Sequence, residues 1–134
     1  MAGKDDLKLL SSFIYSKVRG KYTPEDAQAI GAVTMNRATQ TGNLEEAIQS
    51  LGTGPELMEI IQGNLKGREE REYKRTIQQT SLLLKGSQDP TGGATDFLPR
   101  RSKIDKNLGL IKTHATKNHN FYKRSLSPSG VQGL

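Results

Sequence analysis

Asp89-Pro90-Thr91-Gly92-Gly93-Ala94-Thr95-Asp96-Phe97 is the stretch on which the reading of this chain turns. Pro90 fixes one φ angle and disfavours a helical Asp89. Gly92 and Gly93 admit φ > 0 and let another group come close to the backbone. Thr91, Thr95 and Asp96 place short polar side chains on the bend. Taken alone, this chemistry describes an ordinary turn leading from a helix to an extended segment. Its neighbours along the chain decide whether it lines a cleft.

Upstream, residues 68–85 read as the longest helix, with Tyr73, Ile77, Leu83 and Leu84 on a core face and Gly86 as its stop. Before it, Pro55 opens a short helix with Leu57, Ile60 and Ile61 inward, ending near Gly63. Asn43 caps another through Leu51, which Gly52-Thr53-Gly54-Pro55 breaks. Thr23-Pro24-Glu25-Asp26 reads as a helix start: Thr23 caps, Pro24 takes the first position and Asp26 the capping-box position. That helix is expected to run to about Thr39, with Ala27, Ile30, Val33 and Thr34 inward. The first helix, 5–19, carries Leu7, Leu10, Ile14 and Val18 at steps of three and four, beside Phe13. Downstream of Phe97 the chain reads as irregular and basic. Asn120-Phe121-Tyr122-Lys123 is expected to be a short extended piece that returns aromatics to the core, and 125–134 a flexible tail. The class is therefore mainly α: one small domain, 1–124, with a Gly-rich loop or short β segment and a basic, irregular C-terminal extension.

At 134 residues the chain is long enough for one real core, but 33% hydrophobic and 5% aromatic residues imply a small one. It has no cysteine, which excludes disulfides and thiol chemistry. No stretch approaches the run of about 20 apolar residues that spans a bilayer. Met-Ala-Gly-Lys-Asp-Asp is not a signal peptide, so passage out of a cell would need lysis or assembly into a particle. Between 98 and 124, Arg100, Arg101, Lys103, Lys106, Lys112, Lys117, Lys123 and Arg124 face Asp105 alone, so this segment carries +7 and the rest of the chain about −1. Such a segment suits an anionic wall polymer, an acidic protein neighbour or nucleic acid.

Four segments then fall into one order. Tyr15-Ser16-Lys17-Val18-Arg19-Gly20-Lys21 is followed by Ala32-Val33-Thr34-Met35-Asn36-Arg37, by the 89–97 loop, and by Asn118-His119-Asn120-Phe121-Tyr122. Together they resemble the cell-wall hydrolase family of spore-cortex-lytic (SleB) type. Its pattern is a first helix ending in Glu-Ala-Arg-Gly-Glu, a second ending in Asn-Arg, an Asp-Pro-Thr-Gly-Gly-Ala loop and a closing His-x-Phe-Tyr. The resemblance covers most of residues 7–124. It implies a lysozyme-like helical domain that holds peptidoglycan strands in a groove, with Arg19, Asn36, Arg37, Thr91, Gly92, Gly93, Thr95, His119 and Tyr122 at the groove and its loop. It also implies glycosidic cleavage driven by a Glu at the end of the first helix, whose pKa an apolar setting raises.

At that position this chain has Lys17, and at the second Glu it has Lys21. An ammonium with an ordinary pKa near 10.4 is a poor proton donor at neutral pH. Its charge also has the wrong sign beside an oxocarbenium-like transition state, even when desolvation lowers the pKa. No catalytic residue is therefore expected, with Glu25, Asp89 and Asp96 as fallback carboxylates. Each has a plainer role: Glu25 at a helix start, Asp89 in a turn, and Asp96 where the family usually has an aromatic residue or His. His114 and His119 lack the acidic companions of a metal site, so neither metal nor other cofactor is expected. Asn36 and Arg37 suit hydrogen bonds to the loop, although a cation near a helix C-terminus explains Arg37 as well.

Three functions follow. The favoured one is a catalytically degenerate hydrolase-like domain acting as a structural or binding part of a larger assembly. Its partners would be other subunits and peptidoglycan. Its place would be a phage virion or similar particle, or otherwise the cytoplasm until release. The second is an active hydrolase or lytic transglycosylase with a displaced carboxylate. Nucleic-acid binding through 98–124 ranks last, because no recognition helix or RNA motif accompanies the charge.

Overall fold

The computed structural model describes residues 4–103 and 109–124; the expected tail 125–134 lies outside the described residues, as do Asp105 and Lys106 of the basic segment. Five helices come first: α1 Lys4–Val18, α2 Pro24–Thr41, α3 Leu44–Leu51, α4 Pro55–Ile61 and α5 Arg68–Leu84. Three short strands follow: β1 Asp96–Pro99, β2 Leu110–Ala115 and β3 His119–Arg124.

The helix bounds follow from local chemistry. Asp5 and Asp6 lie in the first turn of α1, at the positive end of its dipole. Thr23 accepts from the Asp26 N–H, Pro24 takes the first helical position, and Gly42 closes α2 at φ 99°. The helix thus ends at Thr41, two positions beyond the expected Thr39, since Gln40 and Thr41 are compatible with one more half-turn. Asn43 caps α3 through the Glu46 N–H at 2.7 Å. Helix α1 lies at the centre: it packs on α2, α3, α4 and α5. Leu10, Phe13, Ile14, Tyr15 and Val18 of that helix are buried. Burying a side chain of this size contributes on the order of 1.5–3 kcal/mol, so this one helix organises the core.

Two features set how closely the helices approach. Gly31 of α2 has no room for a side chain, because a Cβ there would stand 2.3 Å from Leu83 Cδ1 and 3.0 Å from Ile14 Cδ1. On the other side of α1, Tyr15 donates to Glu72 at 2.7 Å and Ser12 shares a 2.8 Å hydrogen bond with the Tyr73 hydroxyl. Burial and the Glu72 carboxylate together push the Tyr15 hydroxyl far above its ordinary pKa.

The mainly helical class with a short β segment stands, but the basic segment is not the irregular extension its composition suggests. Its residues 110–115 and 119–124 form an antiparallel hairpin, and β1 pairs on the other side of β3 to give the order β1-β3-β2. Phe97 stands opposite Phe121 and Asp96 opposite Tyr122. The register slips between Lys112 and His114, leaving Thr113 as a bulge. Strand β2 shows no apolar alternation because most of it remains partly or fully exposed. Its conformation comes from pairing with β3, a non-local contact that no window of sequence displays.

Candidate functional site

The turn at 89–97 is built around the Asp89 carboxylate. It accepts from Thr91 N at 2.7 Å, Thr91 Oγ1 at 2.6 Å and Gly93 N at 3.0 Å. Gly92 and Gly93 adopt φ 69° and 87°, which is why glycine occupies both positions. Helix α2 supplies the remaining ties. Asn36 Nδ2 donates to Asp89 Oδ2 and to the Ala94 carbonyl, both at 2.9 Å. Arg37 donates through Nε to the Thr95 carbonyl at 2.9 Å, pairs with Asp96 Oδ1 at 2.5 Å and reaches Ser50 at 3.1 Å. Thr95 N then donates to the Tyr122 carbonyl at 2.9 Å, passing the chain into the sheet. Thr91, Thr95 and Tyr122 are buried, whereas Gly92 and Gly93 are exposed.

A second constellation centres on Asp26, which is 0% exposed. Its carboxylate accepts from Thr23 Oγ1 at 2.5 Å, from the Thr116 hydroxyl, from Asn118 Nδ2 at 3.0 Å and from His119 Nδ1 at 2.9 Å. A helix-start residue thus anchors the β2–β3 turn more than 90 positions away. Burial would raise the Asp26 pKa, but the bonds from Thr116, Thr23, His119 and Asn118 outweigh it and hold the carboxylate below its ordinary range. His119 is lowered instead, chiefly by burial and further by the charges of Lys21 and Lys17, against the pull of Asp26. The pair is therefore a neutral imidazole donating Nδ1–H to a carboxylate. Phe97 stands edge-on to the His119 ring at 5.7 Å.

The end of α1 is the third element. Lys17 is half-buried, with its ammonium 5.3 Å from the centre of the Phe13 ring. Burial holds its pKa below the usual lysine value, partly offset by the Glu56 charge. Arg19 turns away from the loop: it forks onto Glu69 at 2.9 and 3.1 Å and reaches Glu59 at 3.3 Å, tying α1 to α4 and α5. Lys21 is exposed, and its carbonyl accepts from Asn118 Nδ2 at 2.9 Å.

The structure thus joins Asn36, Arg37, Thr91, Gly92, Gly93 and Thr95 in one network with Asp89 and Asp96, and sets His119 in the Asp26 network beside Lys17. It leaves Arg19 in neither. Of the fallback carboxylates, Asp89 is filled by its turn, Asp96 by Arg37, and Glu25 is exposed at the start of α2. Asp26, Asp89 and Glu69 are all held below the ordinary carboxylate range, the opposite of what a general acid needs. Asp26 and Glu56 are the groups that sequence reasoning missed. Asp26 showed a capping position only, and Glu56 had no signal beyond a helix first turn. Cavities lie elsewhere among the described residues. One of 540 Å³ sits between Asp5, Asp6 and Leu9 of α1 and Asn43, Leu44 and Glu45. Two smaller ones, of 190 and 240 Å³, share Tyr73 and Ile77. None of these three is lined by Lys17, the 89–97 loop or His119. Among the described residues no group of three or more His, Cys, Asp or Glu side chains is gathered as a metal would require. Nor is any helix there long and apolar enough to cross a membrane.

No protein-family model matches the chain, and no curated protein does. Among solved structures, the catalytic domain of the Bacillus cereus SleB protein superimposes with a TM-score of 0.67 at 19% identity, over 92% of this chain and 93% of that one. The chain therefore has a SleB-like, lysozyme-type fold.

Proposed function

We propose that this chain is a catalytically degenerate cell-wall hydrolase-like domain that serves as a structural or binding part of a larger assembly, with a phage particle as its setting. The observation that carries the reading is Lys17. The end of α1 presents an ammonium where glycosidic cleavage needs a carboxylic acid, and the carboxylates Asp26, Asp89 and Asp96 are bound to other partners. General acid–base catalysis is worth about 10²–10⁴-fold, so its loss leaves a binding surface in place of an enzyme.

A second reading keeps activity with a displaced acid, and Glu56 is the observation in its favour, since its charge reaches Lys17. Zymography on purified cell walls separates the two. The pseudoenzyme reading expects no clearing by the wild type. Clearing by Lys17→Glu would mean that the groove still admits a strand. Wild-type clearing that disappears in Glu56→Gln or Asp96→Asn would overturn the pseudoenzyme reading.

A further inference from the structure

Strand β2 is an open edge of the sheet. In the order β1-β3-β2 it pairs with β3 on one side, and among the described residues no hydrogen bond reaches its other side. The opposite edge is covered: α2 packs on β1, and Arg37 donates to the Thr95 carbonyl just before it. The six residues Leu110–Ala115 therefore carry a row of unpaired, alternating backbone N–H and C=O groups about 20 Å long. The strand is also fixed from behind, since a Cβ on Gly92 of the 89–97 loop would stand 3.8 Å from Thr113 Cβ in the bulge.

The side chains along this edge sort by face. Lys112 stands across from Tyr122 and Leu110 across from Arg124, so Lys112 and Arg124 are diagonal neighbours on one face. Asp96, opposite Tyr122 on β1, shares that face, but Arg37 binds it at 2.5 Å and Arg124 approaches it at 3.8 Å, so positive charge prevails there. The other face carries Ile111, 47% exposed, across from Lys123. Lysine and a bulge keep an edge from pairing with its own copies, because two such strands side by side would set like charges together. They do not bar a strand of opposite charge. A nucleic-acid backbone suits the edge poorly: its phosphates would serve the N–H groups and leave the carbonyls without donors.

We infer that the outer edge of β2 takes an acidic extended segment of a neighbouring protein as an added strand, with alternate carboxylates over Lys112 and Arg124 and alternate apolar side chains over Ile111. The inference rests on the assembly reading above and names the contact that joins the domain to its neighbour. The backbone ladder holds the segment, and the charge selects it.

The probe is a fluorescent peptide of about eight residues alternating valine and glutamate, titrated with the full chain and read by anisotropy beside a valine–lysine peptide. The glutamate peptide is expected to bind, more weakly as salt rises, and the lysine peptide not to bind. Lys112→Glu is expected to weaken the glutamate peptide about tenfold and to gain the lysine peptide. Lys66→Glu, the same change at another exposed position, is expected to alter binding less than about twofold. Methylating one alternate set of peptide amides should abolish binding and methylating the other should not, because only one set faces the edge. No binding of the glutamate peptide, unchanged selectivity in Lys112→Glu, or equal response to the two methylation patterns would each overturn the inference. So would a dimer of the free chain that excludes the peptide, or binding seen only once residues 125–134 are removed, since the edge would then belong to a second copy or to the chain's own C-terminus. Clearing of purified cell walls by the wild type would instead refute the non-catalytic reading, whatever the peptide does. Thermal melts, and the gain of the lysine peptide, show that Lys112→Glu is folded.

Discussion

Replacing Asp26 by Asn tests the structural centre of the molecule. The side chains are nearly isosteric, so no cavity forms and the change is electronic. Donors from four residues converge on two carboxylate oxygens: Thr23, Thr116, Asn118 and His119. An amide offers one acceptor oxygen and turns two N–H groups toward the donors that met the other. At least two hydrogen bonds to a charged acceptor are lost, each worth about 1.5–3 kcal/mol. The expected cost is therefore about 3–6 kcal/mol, a large share of the 5–15 kcal/mol that holds an ordinary domain together. For a chain of this size it lowers Tm by on the order of 10–20 °C. Thermal and urea unfolding followed by circular dichroism near neutral pH reads it directly. Proteolysis should also cut first in the β2–β3 turn, which loses its attachment to α2. A melting temperature within about 2 °C of wild type would refute the reasoning, because buried charge-assisted bonds cannot be removed at so little cost.

The same pair fixes the pH dependence. His119 has a lowered folded pKa, so its contribution is complete above the unfolded value near 6.5 and declines as acid protonates the unfolded state first. Asp26 is also lowered, so its contribution is lost in turn as pH falls through and below the ordinary carboxylate range. Stability should fall on acidification from about pH 6.5 downward, and His119→Gln should remove the upper part of that fall; a flat profile between about pH 7 and 5 would contradict it. Gly31→Ala gains helix propensity of about 1 kcal/mol but forces the buried Leu83 and Ile14 side chains aside, at about 1–3 kcal/mol. The net expectation is a loss of up to about 2 kcal/mol. Restored stability in Gly31→Ala/Leu83→Ala relative to Leu83→Ala would show that Leu83 is the obstacle, and a stabilised single variant would exclude the close approach of α2.

Helix starts and stops were legible because they are local. Thr23-Pro24, Asn43, Gly52 and Gly86 act on their own neighbours in the chain, and caps and left-handed glycines need nothing further. The turn at Asp89 was legible for the same reason, and the order of four motifs pointed to a lysozyme-like scaffold before any coordinates. Of the sheet only β3 was legible, where Asn120-Phe121-Tyr122-Lys123 returns Phe121 and Tyr122 to the core. Strand β2 owes its shape to β3 and carries a bulge, so its sequence lacks the period of two. The partners of Asp26 were hidden as well: a carboxylate at a helix start reads as a cap, and nothing nearby reveals the donors of the distant turn. Sequence by itself determined the helices, their ends and the cation at the close of α1, since those depend on residue type and short spacing. Only the tertiary structure decided which carboxylates were already engaged and that Lys17 stood half-buried with no ion pair among the described residues, because burial and hydrogen-bond competition exist only once distant segments meet.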